Sequence, residues 1–513
     1  MVAQNAQKGN QEKPISVERQ LPEVHAQLDA LVGWVCQSAQ DGTSAHEVER
    51  GLFDKLLALG KTLFEAFLKL VGPGDFGASV PLDDGRLVHR SQEQHARRLL
   101  TVFGEFFVSR WVYASCAKAK IEFVPTDQRL QLPASEVSYL LQEWDQLLGI
   151  EHAFGKVREV MQTILRLPQS VDTLERTNQQ MAEAAPVFRD SQGPVDLAKE
   201  GALLVVTEDN KGIPMVRPVA EKPAGAHRTK GEKANKKQMA CIGCVYSVDR
   251  HARTPEQLVA TLFRDPDRPK EKPPQARNKR YWAELSRELD GEEVRGQDLV
   301  FQHLQAEIDT RRQPGQWLVH LCDGQASLET DRQTYLPEDA HTLDILDLMH
   351  VLPRVWEAAH VFHAEGSAEA SAFVRAHLTR ILHGQVGNVI AGWRRRATRK
   401  GLTGAKKKGL RAICAFLEKN KHRMGYDDYL RLGCPVATGV IEGACRHVIK
   451  DRMQRAGMRW KVPGAQAMLN LRTIRTNGDW TTFQDFRIAM ENEWLYPNTK
   501  VLDAREWPAF QAA

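Results

Sequence analysis

Residues 316–329 read QWLVHLCDGQASLE. An apolar, β-prone run stops at an Asp-Gly pair and hands over to helix-compatible residues. The run is too short for a helix of ordinary length and reads as a buried strand with an acid, Asp323, at its end. Three other segments carry the same signature. ALLVV (202–206) is followed by TEDNKGIPM, which places Asp209 just beyond a strand, and QMACIGCVYSV (238–248) and TLDILDLM (342–349) are further apolar strands. Together they predict a mixed α/β unit. EKPAGAHRTKGEKANKK (221–237) and DPDRPKEKPP (265–274) are too polar to pack and read as a mobile loop and a connector. No strand is evident between Arg253 and Gly296.

Before this unit the chain reads as helical. From Val17 to Gly72 apolar side chains return every three or four positions, as in Leu52, Leu56, Leu59, Leu63, Phe67 and Leu70. RRLLTVFGEFFVSRWVYAS (97–115) is rich in β-branched and aromatic residues around Gly104 and predicts a short hairpin, closed by FVPTDQRLQLP. Two helical patterns follow, Phe154, Val157, Val160, Ile164 and then Val171, Leu174, Met181. RLPQS separates them, with Pro168 as breaker and Ser170 as cap, in the outline of a helix-turn-helix. After the strands, Leu352 to Leu432 is helix-compatible throughout, and GCPVATG (433–439) interrupts it before a last amphipathic run.

The expected fold class is therefore multidomain α+β. A helical region (1–98) precedes a hairpin with a helix-turn-helix (99–198). A mixed α/β domain (199–351) is interrupted by an all-helical insertion (352–432), resumes over 433–490 and leaves a tail (491–513).

Composition narrows the class. With 513 residues, 42% hydrophobic and 26% charged, the chain belongs with globular proteins of several domains. No apolar run is long enough for a bilayer span, the start MVAQNAQKGNQEK lacks a secretory core, and eight scattered cysteines form no disulfide framework. A cytoplasmic protein is expected. Net charge is only +5, but its distribution is uneven. Nine Lys or Arg and no acid lie between 394 and 411, namely Arg394, Arg395, Arg396, Arg399, Lys400, Lys406, Lys407, Lys408 and Arg411. A second cluster holds Arg446, Lys450, Arg452, Arg455, Arg459 and Lys461, relieved by Asp451. An acid-free run of this length suits phosphate contact better than an ordinary solvated face.

Glu442 joins the two strand-end aspartates as a third acid. It opens a helix in which Arg446 and Lys450 follow at four-residue spacing, putting a carboxylate and two cations on one face. Taken singly, Asp323 is a turn residue and Glu442 the start of a salt-bridge ladder. As a set, carboxylates that bind hard divalent cations beside side chains that receive phosphates fit phosphodiester chemistry on two metal ions. Glu208, Asp331, Asp344 and Asp347 compete, Asp347 most seriously.

TEDNKGIPM, WLVHLCDGQASLE, ILDLMHVLPRVWEAAHVFH and GVIEGACRHVIKDRMQRAGMRW resemble the catalytic-domain blocks of the ISKra-type insertion-sequence transposases, the last most specifically. The likeness covers about 200 to 480, and the hairpin region with QRLQLP resembles the family's upstream part. The resemblance implies an RNase H-like catalytic domain with Asp209, Asp323 and Glu442 as its DDE acids, a helical insertion before the last of them, and two Mg²⁺ or Mn²⁺ ions. It also implies double-stranded DNA partners, terminal inverted repeats and target, joined by water attack and then 3′-hydroxyl attack in a bacterial, nucleoid-associated protein. Two ends must be brought together, so a homodimer or higher oligomer is expected. The family's first block tends to read Asp-Gly, where this chain has Asp209 and Asn210. Two other readings stand beside this one: a nuclease of the same fold that cleaves without joining, and a DNA-binding regulator without catalysis.

Remaining candidates are weighed on their geometry. Cys241 and Cys244 lie three apart on a strand, so their thiols diverge and read as core rather than zinc ligands. His350 and His447 read first as helix chemistry and second as support for the acids. Trp460 reads as packing or as a platform for an unpaired base.

Overall fold

The computed structural model describes residues 21–116, 119–216, 237–455, 457–505 and 507. The expected loop at 221–237 lies, but for Lys237, outside them, as does the helical pattern before residue 21. Two compact units form, one from residues 1–177 with 484–513, the other from 178–483.

In the first unit α1 (Pro22–Gln40) and α2 (Ala45–Val71) make an antiparallel pair joined by a short turn. Trp34 lies over Gly51, where a Cβ would come within 2.7 Å of the ring. β1 (Ser79–Pro81) and β2 (Leu87–Arg90) pair antiparallel. β3 (His95–Thr101) and β4 (Gly104–Arg110) form the expected hairpin, in register from His95 with Arg110 to Thr101 with Gly104. β5 (Tyr113–Ala114) adds to β2. Next come α3 (Pro125–Leu130), α4 (Tyr139–Gly149), α5 (Phe154–Leu165) and α6 (Val171–Glu183). The Ser170 hydroxyl accepts from the Thr173 N–H at 3.0 Å, the cap expected at the start of α6.

The second unit is built on one sheet. After α7 (Ala185–Ser191), β6 (Leu203–Pro214) and β7 (Lys237–Val248) pair antiparallel over twelve residues each. α8 (Pro255–Leu262) starts with a complete capping box between Thr254 and Gln257. β8 (Arg277–Leu285) then pairs antiparallel with β7. This strand occupies the stretch where the sequence showed none. Its first half is RNKR and only its second half is buried, so no alternation runs through it. A β9 (Arg287–Leu289) and β10 (Glu292–Val294) hairpin leads into α9 (Gly296–Arg311), followed by β11 (Trp317–Cys322), α10 (Ala326–Tyr335) and β12 (Thr342–Leu346). Strand order is β12-β11-β6-β7-β8, with β11 parallel to both β6 and β12. Strand β12 ends at Leu346, short of the expected 349, because Asp347 caps the next helix.

That helix, α11 (Leu348–Phe362), begins a helical block with α12 (Ala368–Leu382), α13 (Val386–Arg399), α14 (Gly404–Asn420) and α15 (Tyr426–Arg431). The block is tied to the ends of the central strands. The Tyr426 hydroxyl donates to Leu346 O at 2.7 Å, and Arg423 donates to the Cys322 sulfur at 3.2 Å and pairs with Glu329 at 3.1 Å. α16 (Gly439–Ala444), a π-helical turn over Cys445–Lys450, and α17 (Asp451–Met453) run as one segment, and α18 (Val462–Asn477) packs on β8. α19 (Trp480–Leu495) and α20 (Thr499–Asp503) carry the chain back to the first unit. There Val501 joins the core of Val80, Val88 and Tyr113, so the expected tail is partly a docked segment.

The two faces of the large sheet are covered differently. Leu204, Val206, Cys241, Val245 and Leu318 pack with Val300, Phe301 and Leu304 of α9. A Cβ on Gly243 would lie 2.6 Å from Val300, so only glycine lets that helix so close. The opposite face receives α16, the π turn and α18.

Candidate active site

Asp209 does not lie beyond its strand. It sits inside β6, paired with Ile242 of β7, while β11 follows β6 only as far as Val206. Here β6 outruns its parallel neighbour, so Asp209 stands next to the place where β11 stops and Asp323 begins. The period of two sends Asp209 to the face opposite Glu208. On that face the Cys445 thiol donates to Asp209 Oδ2 at 3.0 Å, and the Lys211 ammonium lies 3.8 Å from the same oxygen. Burial, with Asp209 beside it, pushes the Cys445 thiol far up, so it remains a protonated donor.

Asp323 follows β11 in an Asx turn, its Oδ1 accepting from the Gln325 N–H at 2.7 Å. The following Gly324 has φ +85°, and a Cβ there would press on Leu346 at 2.9 Å. Burial raises the Asp323 pKa, and the charges of Asp209 in β6 and Asp347 after β12 act in the same direction, so both carboxylates lie within electrostatic reach of Asp323. His350, in the first turn of α11, faces this group. Its hydrogen bond to Asp347 raises its pKa, and Asp323 and Asp209 add to the effect.

Glu442 is exposed on α16, one turn before Cys445, and its charge is felt by that thiol together with the charge of Asp209. Asp209, Asp323, Asp347 and His350 thus lie within electrostatic reach of one another, while Glu442 sits three residues before Cys445, the thiol that meets Asp209. The spacing expected for Glu442, Arg446 and Lys450 is altered by the π turn, whose hydrogen bonds run i to i+5. All three side chains are exposed. Arg446 and His447 both turn to Asp451, at 3.6 and 3.3 Å. Buried Arg472 of α18 donates to Val448 O at 2.7 Å and to His447 O, holding the carbonyls of the wide turn.

The competing acids are otherwise engaged. Glu208, 1% exposed, meets His320 Nε2 at 2.8 Å, and His320 Nδ1 lies 3.3 Å from Asp344, which Arg332 also meets at 2.8 Å. Asp331 pairs with Arg295 at 2.9 Å. Fully buried Asp347 accepts from the Met349 N–H at 2.7 Å and from the Thr438 hydroxyl, while its own N–H donates to Cys322 O at 2.7 Å. It thereby joins the end of β11, the start of α11 and the loop that opens α16. Sequence reasoning did not find this positioning role, nor those of Cys445, Arg423 and Arg472, because each depends on partners far away in the chain.

Among the basic candidates, Arg394, Arg395, Lys406, Lys407, Lys408, Arg455 and Arg459 are exposed. Arg394 lies 3.5 Å from Glu418, and Arg455 also donates to Asp451 O at 2.7 Å. Arg396 is half-buried over the rings of Phe362 and Phe373, at 4.7 and 5.4 Å from their centroids. Two candidates for DNA contact lie inside instead. Arg452, 1% exposed, stacks on Trp460, 8% exposed, at 5.0 Å, and the Trp460 N–H groups donate to Pro214 O and Met453 O. That pair closes the core at the far end of β6, which favours the packing reading of Trp460 over a base platform.

Among the described residues no three of His, Cys, Asp or Glu are grouped tightly enough to hold a metal ion as they stand, and no helix is long and apolar enough to cross a membrane. No family model and no curated protein matches the chain. Among solved structures, the Drosophila P element transposase strand transfer complex is similar at 11% identity, covering 68% of this chain and 80% of that one, with a TM-score of 0.24.

Proposed function

We propose that the chain is a DNA transposase of the DDE type, with an RNase H-like catalytic domain and Asp209, Asp323 and Glu442 as its acids. One observation carries the reading. In a sheet ordered β12-β11-β6-β7-β8, with three antiparallel and two parallel strands, half-exposed carboxylates from β6 and from the turn after its neighbour β11 lie within electrostatic reach of each other, and the helix bearing Glu442 packs on β6 and β7. The rival acids Glu208, Asp331 and Asp347 are buried and Asp344 is half-buried, and all four are paired. The sequence resemblance points to the same three residues, and the helical block between Asp347 and Glu442 fits the insertion it implies.

The donor set suits Mg²⁺ or Mn²⁺. It offers only carboxylate oxygens, and Mg²⁺ is commonly held by one or two carboxylates with water and substrate phosphates rather than by a closed protein cage. Two such ions, when bound, supply Lewis-acid stabilisation of the entering and leaving oxygens of a phosphodiester. The chain's own residues do the rest. Asp209, Asp323 and Glu442 would hold the ions once drawn together around them, Cys445 and Lys211 orient Asp209, and Asp347 fixes the loop before Glu442. Lys406, Lys407, Lys408, Arg446, Lys450, Arg455 and Arg459 receive backbone phosphates, and α5 and α6 are the proposed reader of the terminal repeats.

The test is Mg²⁺-dependent cleavage of a duplex carrying an element end, with a second duplex supplied as target. Wild type cleaves and joins; Asp323→Ala binds DNA equally and does neither. Equal cleavage by the variant sinks the assignment, and cleavage without joined product would make the chain a nuclease instead.

A further inference from the structure

The two long N-terminal helices have almost no core of their own. Of the 19 residues of α1 only Ser38 is buried, and of the 27 of α2 only Ala66. Helices in water draw their stability chiefly from an apolar face packed against something. Two sides of α2 have such a partner. Gly51 lies under Trp34 of α1, and Gly60, Phe64 and Leu68 meet the β3–β4 hairpin through Phe103, Phe106 and the Leu99 cluster.

A third side is apolar and uncovered among the described residues. On α2, Phe53 (43% exposed), Leu56 (48%), Leu63 (45%) and Phe67 (46%) fall on one stripe, and on α1 so do Leu28 (44%), Val32 (55%) and Val35 (39%). At about 100° per residue, each stripe lies roughly 110° around its helix from the mutual contact, in the same rotational sense. Because the helices are antiparallel, both stripes emerge on the same side of the hairpin and make one continuous face.

We propose that this face binds the same face of a second copy of the chain, forming a four-helix bundle about a two-fold axis. At about 1.5 Å per residue α2 spans roughly 40 Å and α1 roughly 28 Å, and each is roughly 10 Å across, so the face is on the order of 700 Å². That is the share each partner contributes to a stable interface of standard size. A two-fold contact requires a self-complementary patch, which a mainly apolar two-helix face supplies. The inference rests on packing and is independent of the catalytic reading.

Sedimentation equilibrium of the full chain without DNA, at micromolar concentration, tests it. Wild type is expected at twice the chain mass. Leu56→Glu/Leu63→Glu weakens the dimer at least about 100-fold, because two leucines no longer leave water on association, and sediments as a single chain with unchanged helical circular dichroism. Leu28→Glu/Val32→Glu, on the other helix, does the same. A single-chain mass for wild type, or dimers retained by both variants, overturns the proposal. So does disappearance of the helical signal in both variants, which would mean that the stripe is buried within one chain.

Discussion

Glu208 and Asp209 are consecutive residues on one strand, yet the sheet separates them. Glu208 faces α9, shut away with His320 and the Asp344–Arg332 pair in a chain of charges running across β6, β11 and β12. Asp209 faces the other way, half-exposed beside Cys445 and close to Asp323. The same carboxylate chemistry therefore serves two ends. Paired and dry, it holds strands together, and breaking such a pair is far more costly than never having built it. Gathered and wet, it repels itself and is suited to cations.

Near-isosteric swaps at the two neighbours should have opposite effects. Asp209→Asn should lower Mg²⁺-dependent cleavage by about 10³-fold, about 4 kcal/mol of barrier, and leave the unfolding midpoint in urea unchanged or higher. Glu208→Gln should cost about 3 kcal/mol of stability or more, because it leaves a buried imidazolium poorly compensated, while folded enzyme keeps its rate. If both variants reduce activity and stability alike, the distinction between the faces is gone.

The buried side also has its own pH signature. Burial opposes charge on His320, but Glu208 and hydrogen bonds to Asp344 and Glu208 outweigh it and hold its pKa up at about 9. A raised folded-state pKa stabilises fully below the ordinary value near 6.5, and that stability is lost as pH rises through about 9, about 3 kcal/mol for this group. Urea unfolding from neutral to alkaline pH should show this decline in wild type and a much flatter course in His320→Gln.

Thr438→Val tests the link between the faces. It should cost about 1–2 kcal/mol through the buried hydrogen bond lost to Asp347 and slow cleavage about tenfold through a displaced Glu442, as outer-sphere changes do. Thr438→Ser should restore both, whereas reduced stability with an unchanged rate would make Asp347 a helix cap alone. The smallest effect is expected at the helical block. Replacing Lys406, Lys407 and Lys408 by Ala should leave folding untouched and reduce the slope of log affinity against log salt by about 0.9 for each DNA phosphate that these lysines neutralise.

Much of this was legible in the linear order of residues. Apolar runs marked β6, β7, β11 and most of β12, because strands buried on both faces must be continuously apolar. The β3–β4 hairpin, the capped start of α6 and the helical block followed from local period and turn chemistry. β8 escaped notice because its first half is RNKR, and Asp209 was placed beyond its strand because the half-buried second half of β6 carries polar residues.

What the residues determine alone is local: which segments are strands or helices, which acids end or open them, and where cations accumulate, since period, turn preference and charge act over a few neighbours. Tertiary structure decided which acids are structural and which are gathered. It set the Trp460 backbone N–H on Pro214, tied Asp347 to Cys322 and Thr438, joined Cys445 to Asp209, and left one side of the N-terminal helices bare among the described residues. Each of these depends on groups brought together from distant parts of the chain, and burial and pairing exist only once the sheet has formed.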